Sequence, residues 1–230
     1  MNAISRLARG FTNDKLITLT PDGEGCQTYN VSCAMLCHAS KYFRAVLHGG
    51  FKEASSNILT FPDFDEKILE GFVYWLAAGH LPRHDEFLSE ARNVDPDKLA
   101  EYLLDWELLL IRLWIFGDQY MIPKLQNCAM SPLLNAMMHR PLAPRAVREI
   151  FERTANDAPL RRAAVTNITG DLTCGWYHAD DVEELSQIPG LLVAAMEENR
   201  QCRGGLLYGC RCDILCGRVD QRLASFMVQV

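Results

Sequence analysis

The sequence predicts an α+β fold, helix-dominated with a small sheet, and three observations carry that reading. Short runs rich in β-branched residues stand early in the chain, at Leu16-Ile17-Thr18-Leu19-Thr20 and Asn57-Ile58-Leu59-Thr60-Phe61. Apolar residues then recur at three- and four-residue spacing over most of the remaining length, the pattern of helices with one buried face. Of the 230 residues, 49% are hydrophobic and 23% charged, so the chain carries enough apolar side chain for a packed core. A chain of this length buries roughly 70% of the surface its unfolded form exposes.

In chain order, residues 1–13 read as a loosely held terminus. Leu16 to Thr20 is the first strand, and Pro21-Asp22-Gly23-Glu24-Gly25 a turn in which glycine supplies positive φ. Cys26 to Val31 returns as a second strand, giving a hairpin. Ser32 is a helix N-cap, because its hydroxyl can accept from an exposed backbone N–H. Leu36, Ser40, Phe43 and Leu47, flanked by Met35, Ala39, Tyr42 and Val46, then make one broad helical face. Gly49-Gly50 stops that helix, since glycine adopts the left-handed conformation a C-terminus often needs. Phe51 to Ser56 reads as a polar loop before the strand at 57–61.

Asp63 can cap the next helix, with Glu66 three positions on as in a capping box. Ile68, Leu69, Phe72, Val73, Trp75 and Leu76 fill that helix, and Gly79 and Pro82 end it. His84 to Asn93 is a polar loop. Asp95-Pro96 opens a long helix, proline being harmless at the first helical position. Its stripe is Leu99, Leu103, Trp106, Leu110, Leu113, Gly117 and Tyr120, read as core packing rather than coiled-coil pairing. Pro123 starts another helix, which Pro132 kinks or ends by removing an internal hydrogen bond. Ala143 to Thr154 is amphipathic, with Val147, Ile150 and Phe151 inward. After a break at Asn156 to Pro159, shorter helices are expected over Leu160–Val165, over Asp180–Gln187 with Asp180 or Asp181 as cap, and over Leu191–Asn199. The last thirty residues lack a period and read as weakly ordered.

Two segments resemble a known family. Leu36-Cys37-x-x-Ser40-x-Tyr42-Phe43-Arg44-Ala45, followed by Gly50-Phe51-Lys52-Glu53-Ala54, is similar to the first-helix signature of BTB/POZ domains, most of all the type common in filamentous fungi. Ile115-Phe116-Gly117-Asp118-Gln119-Tyr120-Met121-Ile122-Pro123-Lys124-Leu125-Gln126-Asn127 resembles a second family segment, in which one helix ends and the next begins at the proline. Three places depart from the pattern. Ser32-Cys33 stand where the family commonly has a His-Lys pair, Gly117 where it often has alanine, and Trp75-Leu76-Ala77-Ala78-Gly79 lacks the family's tyrosine before the glycine. The resemblance implies a helical cluster flanked by a short sheet over residues 14–140; beyond it the residue pattern itself reads as a C-terminal helical extension over 141–200 and a Cys/Gly-containing tail over 201–230. It also implies function through protein–protein contact, by self-association or as a substrate adaptor on the cullin scaffold of a ubiquitin ligase. A transcription-associated oligomerisation factor working through a DNA-binding partner is the alternative, and a small enzyme a remote one.

The search for chemistry assigns no catalytic, cofactor-binding or metal residue, and no cofactor. Cys37-His38 are neighbours on a helix and point apart, so Cys37 reads as a small buried thiol. The carboxylate groups at Asp63/Asp65/Glu66, Asp85/Glu86 and Asp180/Asp181/Glu183/Glu184 fall at helix starts or in polar loops, where negative charge is favoured anyway. Phosphate-cradling glycine motifs are absent. Cys202, Cys210, Cys212 and Cys216 could supply four thiolates, but at spacings unlike those of zinc knuckles, so free thiols are expected. A net charge of −6 argues against a direct nucleic-acid partner, and Arg140, Arg145, Arg148, Arg153, Arg161 and Arg162 are interspersed with acids. The most apolar run, Leu108 to Phe116, is too short for a membrane span and carries Arg112. No secretory pattern opens the sequence, so its nine cysteines are expected reduced, in the cytoplasm or nucleus. The Asn167-Ile168-Thr169 sequon is then without meaning.

Overall fold

The computed structural model describes residues 14–21, 23, 25–82, 86, 95–202 and 225–229. Among these the architecture is mixed α+β, ten helices with one three-stranded sheet. The chain divides into two units that interleave along the sequence. One is drawn from residues 1–81 and 116–126, the other from 82–115 and 127–230.

The first unit is built on the sheet. Strands β1 (Leu16–Pro21) and β2 (Tyr29–Ser32) form the antiparallel hairpin, with Ile17 opposite Val31. Strand β3 (Ile58–Phe61) lies parallel to β1 on its other side, Leu19 opposite Leu59, so the order is β2-β1-β3. Side chains alternate across a strand. Ile17, Leu19, Leu59 and Phe61 are buried on one face, while Leu16 and Ile58 are exposed on the other.

Ser32 caps helix α1 (Cys33–Ala39), accepting from the Met35 N–H at 3.0 Å. The single helix expected to run on to Leu47 is instead two. Ser40 is extended (φ −139°, ψ 133°) and begins α2 (Lys41–His48), its hydroxyl accepting from the Phe43 N–H at 3.2 Å. The same hydroxyl donates to the Tyr120 carbonyl, so a residue that looked like one step of an apolar stripe is a buried hinge. Gly49 does end α2, but in an extended conformation rather than the left-handed one (φ −83°). Glycine is needed there for space, because a Cβ would lie 2.5 Å from the Ala45 carbonyl oxygen and 2.8 Å from the Phe51 ring.

The expected polar loop after it holds a short helix, α3 (Lys52–Ser56), ended by Asn57 in the left-handed region. Asp65, not Asp63, caps α4 (Glu66–Ala78), accepting from the Ile68 N–H at 3.2 Å. The proposed Asp63–Glu66 capping box therefore does not form, because the helix begins one residue before Lys67. Gly79 closes α4 as expected, and does so in the left-handed region at φ 77°.

Residues 116–126 complete this unit. Phe43, Phe61, Phe64, Phe72, Phe116 and Tyr120 form one aromatic cluster, with ring centroids 4.6 Å apart for Phe116–Tyr120, 4.7 Å for Phe72–Phe116 and 5.0 Å for Phe64–Phe116. Each fully buried Phe contributes about 1.5–3 kcal/mol of apolar burial, with offset and edge-on contacts adding to it.

The second unit is helical. Helix α5 (Pro96–Gln119) reaches it through residues before Phe116, and from Trp106 to Ile115 only Leu109 and Arg112 escape full burial. That stretch is buried nearly all round, so core packing, not a coiled-coil seam, is what its stripe serves. Helix α6 (Pro123–His139) starts at Pro123 as expected but continues through Pro132. The missing N–H costs one internal bond, and the burial of Met130, Leu133, Ala136 and Met137 along the same helix outweighs it. Helix α7 (Pro144–Arg153) buries Ala146, Val147, Ile150 and Phe151.

Helix α8 (Pro159–Thr173) runs eight residues past the expected end at Val165. Thr166, Thr169 and Gly170 blur the sequence pattern, but Ile168 is fully buried and Asn167 donates to the Met137 carbonyl at 3.1 Å, so packing extends the helix. The Asn167 sequon accordingly sits inside a helix. In α9 (Ala179–Ser186) neither Asp180 nor Asp181 is the cap. His178 holds that place, and Asp181 reaches back to accept its backbone N–H at 3.2 Å. Helix α10 (Leu191–Cys202) follows the Ile188-Pro189-Gly190 interruption. Weak order was expected over residues 201–230. Of these, 203–224 lie outside the described residues, but Val228 exchanges two hydrogen bonds with the Asn127 side chain, at 2.7 and 2.8 Å. An Asn side chain thus stands in for a strand partner. The polar loop expected at 84–93 also lies outside the described residues, apart from Glu86.

Candidate functional site

Three places in the described residues hold side chains that structure alone does not require: an outward apolar helix face, a buried carboxylate and a thiol–imidazole cluster.

The outward face is on α10. Among the residues of this helix whose burial is described, Leu191 alone is buried, whereas Leu192 and Val193 are each 67% exposed and Met196 53% exposed. A helix normally turns its apolar residues inward, and Met196 stands four positions from Leu192 and three from Val193, the two spacings that bring helix side chains together. In the same unit Leu172, Trp176 and Val182 are also exposed large apolar residues. In the first unit, Leu16 and Ile58 on the outer sheet face, with Phe51, Tyr74 and Met121, stand out in the same way.

The buried carboxylate is Glu107 on α5, with none of its surface accessible. Arg140 Nη2 lies 2.9 Å from its Oε1 and donates to the Leu103 carbonyl at 2.7 Å. Neither Glu107 oxygen accepts a well-directed hydrogen bond among the described residues, so the contact with Arg140 is an ion pair without a good N–H alignment. Burial pushes the Glu107 carboxyl up to about 7, with Arg140 and then the Ala143 backbone N–H pulling the other way. A second ion group in this unit is conventional. Glu149 takes Arg112 at 3.0 Å and Arg153 at 3.1 Å; burial raises its pKa, but the two guanidiniums together hold it below the usual value.

The thiol cluster lies in the first unit. Cys33 and Cys37 are one helical turn apart on α1, with their Sγ atoms 3.9 Å apart. The exposed His48, last residue of α2, brings a ring nitrogen so that all three ligand atoms lie within 4.8 Å of one another. Burial, and then the neighbouring Cys33, push the Cys37 thiol up to about 12. Asp14 closes the helix start above them, accepting from the Ala34 N–H at 3.1 Å and from the Ser32 hydroxyl.

The residues weighed from sequence fall as follows. Cys37 is buried and His38 exposed on α1, and burial raises the Cys37 thiol to about 12. Asp65 is a cap, Glu66 a first-turn residue, and Asp180 and Asp181 stand at the start of α9. Asp85 lies outside the described residues, as do Cys210, Cys212, Cys216 and the Cys202 side chain. Of the arginines, Arg140 and Arg153 are paired with acids, and Arg161 lies 4.0 Å over the Phe151 ring and donates to the Phe151 and Thr154 carbonyls. These guanidiniums are spent on internal contacts. Among the described residues no helix is long and apolar enough to cross a membrane.

Sequence reasoning missed Glu107 and the involvement of His48. The signal for the first was present, an acid set within the apolar Leu108–Phe116 neighbourhood. No known protein family and no curated protein matches this chain.

Proposed function

We propose that this chain is a non-enzymatic protein–protein interaction module of BTB/POZ type, acting in the cytoplasm or nucleus. The observation that supports it most is the α10 face, where Leu192, Val193 and Met196 present apolar surface outward from a helix whose start is anchored by the buried Leu191. Exposed apolar groups clustered in this way mark surfaces that other proteins cover. The resemblance of Leu36 to Ala45 and of Ile115 to Asn127 to the family's segments adds the kind of partner: a second copy, or a cullin scaffold that the chain would join to a substrate.

The purified full chain, alone and mixed with a purified cullin scaffold, tests this by light scattering over rising concentration. A mass above that of the monomer, or a complex with the cullin, is expected, and Leu192→Glu with Val193→Glu should weaken it. A chain that stays monomeric and leaves the cullin unbound would refute the reading.

A further inference from the structure

We propose that Cys33, Cys37 and His48 form a binding site for a thiophilic closed-shell metal ion, of which zinc(II) is the best fit. The three residues are not near one another by chance of sequence. Cys33 and Cys37 are four apart on α1, which places both on one side of the helix. The chain then turns at Ser40, and α2 ends at His48 beside them.

The distances match the ion. Two sulfurs bonded to a tetrahedral zinc at about 2.3 Å stand about 3.8 Å from each other, and the Sγ atoms here are 3.9 Å apart. A ring nitrogen on the same ion would stand about 3.6 Å from each sulfur. The His48 nitrogen lies within 4.8 Å of both sulfurs, and its exposed side chain has room to adjust toward a shared ion. With three protein ligands, the fourth position belongs to water or to a group brought by another molecule, and His48 marks the open side.

Binding is written as an exchange: zinc takes the place of the two thiol protons, which leave to solvent, and the neutral imidazole adds its lone pair. No oxidant or reductant is involved. The product ties the start of α1 to the end of α2, across the turn that Ser40 makes.

The test must separate this site from the cysteines of the tail. In the full reduced chain with Cys202, Cys210, Cys212 and Cys216 all replaced by serine, cobalt(II) is added as a spectroscopic stand-in, then displaced by zinc. One equivalent bound with thiolate-to-cobalt charge-transfer absorption is expected. His48→Ala, at an exposed position that leaves the core intact, should weaken zinc binding by at least about tenfold, and Cys33→Ser, which leaves one thiolate, should at least halve the charge-transfer band. Absence of the band from the tail-substituted chain overturns the proposal. So does a band and affinity that His48→Ala leaves unchanged.

Discussion

Glu107→Gln should change how stability depends on pH, and the size of the effect follows from burial. Glu107 is inaccessible to solvent, with Arg140 at 2.9 Å, and its carboxyl rises from 4.5 to about 7 on folding. At pH below about 4.5 it is protonated in both the folded and unfolded chain and has no effect on the difference between them. Between about 4.5 and 7 the unfolded chain gives up the proton while the folded one keeps it, so stability falls as pH rises. Above about 7 the fall is complete. A rise of about 2.5 pH units at 1.36 kcal/mol each makes it about 3 kcal/mol. Glu149, whose pKa is lowered, acts with the opposite sign below about pH 4.5, so the informative quantity is the difference between parent and variant. Urea unfolding followed by tryptophan fluorescence, at intervals from pH 4 to pH 8, gives it. The stability of Glu107→Gln relative to the parent should increase by about 3 kcal/mol across that range. A gap that stays constant with pH would show that Arg140 keeps the carboxylate ionised throughout, and the reasoning would fail.

Two further outcomes are open to the same assay. Ser40→Ala removes the α2 cap and the donor to the Tyr120 carbonyl, and should cost about 2–3 kcal/mol; an unchanged unfolding midpoint would mean that the hinge is held by packing alone. Gly117→Ala, the residue the resembled family often carries, would place a Cβ 2.8 Å from Gln126 Cγ and 3.2 Å from both the Gln126 nitrogen and the Ile122 oxygen. It should destabilise by about 1–3 kcal/mol, and a neutral result would show that the turn into α6 yields freely.

What could be read from the sequence was local. Ser32 as a cap, Gly79 as a stop, the β-branched runs that become β1 and β3, and the inner face of α7 each depend on residues within a turn or two. What could not be read was set at a distance. Nothing near Ser40 announces a break, because the carbonyl it bonds belongs to Tyr120, eighty positions away. The length of α8 beyond Val165 comes from burial of Ile168 and from Met137, not from helix propensity. Asp63 and Asp65 are equal as caps on paper, and the end of β3 decides between them. The thiol cluster was half visible. The four-residue spacing of Cys33 and Cys37 could be read, whereas His48 joins them only because the helix breaks. Cys33 is also one of the places where the chain departs from the family it resembles.

The aromatic cluster has a consequence for how this protein can be made. Phe72 and Phe116 touch, yet 44 positions of chain separate them, and at about 5–20 residues per second a ribosome takes a few seconds to deliver the second after the first. During that interval Phe43, Phe61 and Phe72 lack the rings that later enclose them, and the emerging polypeptide must be shielded or remain loose. For the same reason a gene fragment cut after residue 81 would encode the sheet without its lid. A cassette meant to be grafted or expressed alone has to reach at least Gln126.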